Sequence, residues 1–152
     1  DDARYAVPGL NPEWATPPKP DKYEKTDFGW AIYPEGFYEI VTDMAKHTGR
    51  VPLEITENGA AYNTNVGPDG HVHDEKRIAY TRSHLLELSR AIRDGAPVRA
   101  YHHWSLLDNF EWGEGYTQRF GLFYVDFKNR QQRTIKDSGA WYAQVIAANR
   151  VV

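Results

Sequence analysis

The sequence contains no cysteine, which excludes a disulfide frame, a thiolate metal site and a thiol nucleophile, although it names no compartment. It has no apolar run approaching the ~18 residues that a membrane helix needs, and its start, Asp1-Asp2-Ala3-Arg4, shows no signal-peptide pattern. We therefore expect no membrane partner, and a cytoplasmic location. Positive charge is not in excess: 18 Lys and Arg against 21 Asp and Glu give a net charge of −3, with the signs mixed and no basic run. Nucleic acid is not an expected partner, because neutralising phosphates takes clustered cations. Internal repeats and low-complexity tracts are missing too. What the chain has in quantity is aromatic side chains, 14% of its 152 residues, as 5 Trp, 10 Tyr and 6 Phe, in an otherwise ordinary balance of 41% hydrophobic and 26% charged. Such a composition packs, and the length suits one domain or one piece of a larger one. Aromatic residues fill cores, and they also line sugar pockets.

Proline divides the chain. Pro8, Pro12, Pro17, Pro18 and Pro20 crowd the first 27 residues, where their fixed φ and missing N–H groups forbid a regular helix or central strand. Residues 1–27 therefore read as a surface loop, anchored by Tyr5, Leu10, Trp14 and Tyr23. From Pro34, the residues Phe37, Ile40, Val41, Met44 and Ala45 recur at helical spacing, with Gly49 placed to end the helix. Residues 51–56 read as a short buried strand running into Glu57-Asn58-Gly59. Asp74 is a candidate N-cap for a long helix with Ile78, Leu85, Leu88 and Ile92 on one face, closed by Gly95 and Pro97. A second buried strand spans 98–105. Residues 121–127 and 131–136 suggest a hairpin around Lys128-Asn129-Arg130, and a last helix covers about 138–149, with Trp141, Val145 and Ile146 inward. Helix, strand, helix, strand with short connections predicts parallel strands joined by right-handed crossovers. Two parallel strands cannot close a barrel or cover their own edges, so the chain reads as part of a larger sheet.

Two strings carry chemistry. In Leu53-Glu54-Ile55-Thr56-Glu57-Asn58-Gly59 a carboxylate stands where a buried strand runs out, followed by residues that let the chain turn; an α/β barrel holds a catalytic group rigidly in this way. Glu57 is that carboxylate, and alternation puts Glu54 on the opposite side of the strand. In Trp104-Ser105-Leu106-Leu107-Asp108-Asn109-Phe110-Glu111-Trp112, aromatic platforms alternate with groups able to bond hydroxyls, which suits the apolar faces and polar rim of a sugar. Singly, each of these residues is as well explained by a core tryptophan, a strand-end pair or a surface acid.

Together, Ile55-Thr56-Glu57-Asn58-Gly59 and Trp104 to Trp112 resemble the two C-terminal signatures of family 1 glycoside hydrolases, the β-glucosidase family. Gly29-Trp30, Pro34-Glu35-Gly36, Arg77-Ile78-Ala79-Tyr80, Arg119-Phe120-Gly121-Leu122 and Tyr124-Val125-Asp126 extend the resemblance. It implies an α/β fold: the C-terminal portion of a (β/α)₈ TIM barrel, with its last two strands, the surrounding helices and a small β-hairpin. Residues 1–152 would form the C-terminal segment of a single catalytic domain, with 28–152 as the barrel segment. The resemblance implies that Glu57 is the nucleophile of a retaining β-glucosidase. By the same carry-over Trp104 lies beneath the sugar, Glu111 and Trp112 bond its 4- and 6-hydroxyls, and Phe120 closes the pocket. An acid at 111 would repel a 6-phosphate, so a β-glucoside or short β-linked gluco-oligosaccharide is the implied substrate. No cofactor and no metal are implied. The family's acid/base glutamate, in a Thr-x-Asn-Glu-Pro string, is not among these residues. The implied partner is therefore the N-terminal part of the same barrel, and the chain alone is expected to be inactive. Alternatives of other classes are a non-catalytic sugar-binding module and a fragment that only completes a barrel. At Tyr101-His102-His103 the sequence departs from relatives, and both histidines are expected to be buried with hydrogen-bond partners rather than to bind metal. His71 and His73 lack a third ligand in sequence.

Overall fold

The helical stripe that begins at Pro34 folds as α1 (Pro34–His47) and the next chain segment as β1 (Leu53–Asn58); the computed structural model describes residues 22–49 and 51–152. Most of the expected 1–27 loop lies outside the described residues. α2 (Glu75–Arg93) then crosses back to β2 (Val98–His103), which pairs with β1 in parallel. The crossover ends in a Schellman turn: Gly95 sits at φ +98°, its N–H reaches Ile92 O at 3.0 Å, and Ala96 N–H reaches Ala91 O at 3.0 Å. A short 3₁₀ turn, Trp112–Glu114, precedes the antiparallel hairpin β3 (Phe123–Asp126) and β4 (Gln132–Ile135), and α3 (Asp137–Ala148) completes the chain.

The core lies between the helices and one face of the β1–β2 pair. Val41 and Ala45 of α1 meet Leu88 and Ala91 of α2 and Ala96, with Leu53, Ile55, Val98 and Tyr101 packed against them from the strands. Other apolar positions of the expected stripes stay in solvent: Ile40 is 56% exposed, Ile92 45% and Ile146 62%. Ile92 and Ile146 instead border a groove with Leu86, Tyr101 and Tyr142, over a strand that pairs on one edge only. Inward placement of Ile146 is thus corrected, since no described element covers the face it presents. Among the described residues no helix is long and apolar enough to cross a membrane.

Candidate active site

A bulge decides where Glu57 points. Ile55 pairs with Tyr101 and Asn58 with His103, so Thr56 and Glu57 together oppose the single residue His102. Such a bulge bends its strand and re-aims a side chain. Strict alternation would put Glu57 on the face of Ile55, against the helices. Instead Asn58, three residues beyond Ile55, reaches Tyr101 on that face, and Glu57 is exposed in an open cleft of about 610 Å³. The alternation argument that set Glu54 opposite Glu57 does not carry through the bulge, and both carboxylates are exposed.

Trp104 follows β2 directly and meets the end of β1. Its N–H donates to Asn58 O at 3.0 Å, and Gly59 lies so close that a Cβ there would overlap the Trp104 carbonyl oxygen. Any side chain at 59 would force the two strand ends apart, which is the physical need for glycine in the first motif. The Trp104–Ser105 peptide is cis. Trp104 Nε1 donates to Glu111 Oε1 at 3.4 Å. Trp112 opens the 3₁₀ turn at φ 45° and is 86% exposed at the cleft mouth. Phe120 is buried in the wall, its ring 6.3 Å from Phe28 and 5.9 Å from Trp30. One cleft therefore gathers Glu57, Trp104, Glu111, Trp112 and Phe120, and adds Phe28, Trp30, Tyr80 and Glu114, to which the sequence reading gave no site role. No lysine, arginine or histidine among the described residues lines it, and no described salt bridge engages Glu57, Glu111 or Glu114.

Behind this open cleft stands a closed polar frame. Arg77, fully buried, donates to the carbonyl oxygens of Ala60, Phe120 (3.1 Å), Tyr62 (2.9 Å) and Arg119 (2.9 Å), and its Nε reaches Asp74 at 2.8 Å. The guanidinium thereby joins the loop after β1 to the loop that carries Phe120. Asp74 does precede α2, but its side chain makes no cap bond; it takes Arg77 and both the N–H (2.9 Å) and hydroxyl (2.7 Å) of Ser138. Asp108, within the second motif, accepts from Arg119 at 2.6 Å, Lys136 at 2.8 Å and the N–H groups of Gly121 and Val125. Burial, with the nearby Arg77 charge, pushes the Lys136 amine down to about 8.

The histidines depart from expectation. His102 is exposed, while both ring nitrogens of His103 are buried without a hydrogen-bond partner among the described residues. Burial pushes the His103 imidazole down to about 3, so it stays neutral, packed 5.7 Å from the Tyr142 ring. His73 finds in space what it lacked in sequence: Glu75 and Asp137 bring ligating atoms within 4.8 Å of its own. Both its nitrogens already face carboxylates, Asp69 at 2.9 Å and Asp137 at 2.6 Å, which push it up to about 9. The cluster, with His73 and Glu75 exposed and Asp137 half-buried, ties the loop before α2 to the start of α3.

A carboxylate at a strand end that shares one cleft with an indole and two further carboxylates can bond a neutral polyhydroxylated ring and attack it from one side. The family model "Glycosyl hydrolase family 1" matches residues 11–151. A β-glucosidase A of Acetivibrio thermocellus is 48% identical over 129 residues, which are 85% of this chain and 29% of that protein. A 1,4-β-D-glucan glucohydrolase of Thermotoga neapolitana is 52% identical over 125 residues, 82% of this chain and 28% of its own length. Among solved structures, a family 1 β-glucosidase from Thermotoga maritima in complex with isofagomine lactam superposes with a TM-score of 0.83 at 46% identity, over 86% of this chain and 29% of that one. The chain thus spans under a third of the length of these relatives.

Proposed function

The chain belongs to glycosyl hydrolase family 1, and from that premise we propose that it is the C-terminal segment of a retaining β-glucosidase, contributing the last two strands of a (β/α)₈ barrel and half of its active site. The observation that carries this reading is the meeting of Glu57 with Trp104 and Glu111 in one cleft at the C-terminal ends of two parallel strands. Glu57 Oε attacks the anomeric carbon of a bound β-glucoside. The bond to the leaving oxygen breaks with its electron pair, and that oxygen takes a proton from an acid that the remainder of a longer polypeptide, or a second chain, supplies. Water, deprotonated by the same group, then displaces Glu57 from the sugar and restores its carboxylate. Retention places the two carboxyl groups about 5–5.5 Å apart. Trp104 supports the apolar face of the sugar, and Glu111 with Trp112 bonds its outer hydroxyls. Phe120 closes the wall. A cleft lined by carboxylates and, among the described residues, by no cation favours an unphosphorylated sugar over a 6-phosphosugar. In the full-length protein, Glu57→Gln is expected to abolish hydrolysis of an aryl β-glucoside; wild-type rates in that variant would overturn the assignment.

For the isolated chain a second reading, a barrel-completing fragment without turnover, is favoured by its exposed Leu86, Ile92 and Ile146 beside the one-sided β2 edge. A native mass separates the two. A species holding the rest of the barrel should be active, and a lone 17.5 kDa chain should not.

A further inference from the structure

No described ion pair holds the Glu57 carboxylate, and the bulge leaves its side chain over open space. Attack on carbon nevertheless requires the oxygen to be held to within a fraction of an ångström, and among the described residues the constraint on Glu57 comes through the backbone. It comes through the next residue. The Asn58 side-chain oxygen accepts from the Tyr101 hydroxyl at 2.9 Å, its Nδ2 donates to the Tyr80 hydroxyl at 3.4 Å, and its main-chain oxygen accepts from Trp104 N–H at 3.0 Å and from the Tyr101 hydroxyl at 3.4 Å. These bonds reach two elements and the sugar platform: Tyr80 lies on α2, Tyr101 on β2, and Trp104 directly after β2. The anchors are themselves packed: Tyr80 stacks on His84 at 4.0 Å and Tyr101 packs against the helix-side core. Burial raises the pKa of both phenols, so both remain hydroxyls through the neutral range.

We propose that Asn58, clamped by Tyr101 and more weakly by Tyr80, is the positioning residue that fixes the nucleophile Glu57 relative to Trp104. The proposal rests on the reading of Glu57 as nucleophile. Asn58 touches no reacting atom; it turns the peptide that carries Glu57 and ties it to the one that carries Trp104. Tyr101→Phe keeps the ring and its packing and removes both hydroxyl bonds to Asn58, the strong 2.9 Å bond among them, whereas Asn58→Ala removes every bond that the Asn58 side chain makes.

The test uses the full-length protein containing this segment, with a 2-deoxy-2-fluoro-β-glucosyl fluoride that glycosylates the nucleophile and is then hydrolysed slowly. Mass spectrometry locates the label, fluoride release gives its rate, and inhibition by glucose reports ground-state binding. The labelling rate is expected to fall about ten-fold in Tyr101→Phe and about a hundred-fold in Asn58→Ala. Glucose inhibition should stay within about two-fold in both, because Trp104 and Glu111 still hold the sugar. Tyr142→Phe, which removes a hydroxyl elsewhere in the same packed region, should label at the wild-type rate. If Asn58→Ala does not fold, the Tyr101→Phe rate decides alone. Label on Glu57 with an unchanged rate in Tyr101→Phe overturns the positioning role and leaves the nucleophile in place. Label on a different carboxylate in the wild type overturns the nucleophile itself, so the two failures are distinct.

Discussion

Asp74, Arg77, Asp108 and Lys136 are each 3% exposed or less, and each meets an opposite charge, whereas Glu57, Glu111 and Glu114 converge on an open cleft without a salt bridge. The two groups lie on either side of the same loops. A buried charge is tolerable only when paired and hydrogen-bonded, so the inner set is saturated and its business is to hold chain segments together. An exposed carboxylate has no such obligation and keeps its lone pairs for whatever enters the cleft. Phe120 sits at the boundary, its ring in the cleft wall and its carbonyl on Arg77. The saturated frame thus sets the shape into which the unsaturated set reaches.

The contrast breaks most severely at Asp108. Asp108→Ala would leave Lys136, Arg119 and two backbone N–H groups facing one another without their acceptor, and removing one partner from such a buried cluster costs roughly 3–5 kcal/mol. Urea unfolding of the full-length protein should show a loss of that size, and an unchanged midpoint would mean that the frame is not what holds these loops. The opposite behaviour is expected at Glu111. Glu111→Gln should leave the midpoint within about 0.5 kcal/mol, yet lose a charge-assisted bond to the sugar, roughly 1.5–3 kcal/mol of transition-state binding. kcat/KM for a β-glucoside reads this out, and equal losses in stability and activity would erase the distinction.

His73 gives the smallest effect and sharpens the comparison, because it is a paired charge left in solvent. Its folded pKa, raised to about 9 from 6.5 by Asp69 and Asp137, contributes stability that is complete below about pH 6.5 and is lost as the pH rises through 9. Lys136 works the other way, since its folded value near 8 lies below the ordinary 10.5, so stability is gained as the pH rises between them. Subtracting the melting curves of His73→Ala from those of the wild type isolates the histidine. The difference should shrink between pH 6.5 and 9, and a constant difference would show that the clip carries no charge.

The elements themselves were readable because their signals are local. Helical stripes, Pro34, Gly95 and the two motifs are written within a dozen residues, and α1, α2, β1, β2, the hairpin and α3 stand within a few residues of where those signals fall. The bulge at Thr56–Glu57 was not legible, because it exists only in the pairing with β2, more than forty residues away. Arg77 was quoted for its motif alone. Its role consists of bonds to main-chain oxygens 15–43 residues distant, which leave no trace in the side chains at those positions; the sole local signal was its i,i+3 spacing from Asp74. Asp108 was read as part of a sugar motif, and its burial distinguishes it from Glu111 three residues on. The exposed Ile146 followed a correct periodicity, but a stripe tells which way a face points and not whether anything covers it.

Arg77 grips four carbonyl oxygens, and among the described side chains of the loops it joins it meets the Tyr62 ring, 5.6 Å from its centroid. Its hold on Phe120, through the carbonyl alone, is therefore indifferent to the side chain there. Residue 120 can be exchanged for a bulkier or smaller one while the main chain beneath it keeps its course, whereas Arg119 is tied by its side chain to Asp108. The cleft wall at 120 is consequently free to change shape by a single substitution, without a compensating change in the scaffold.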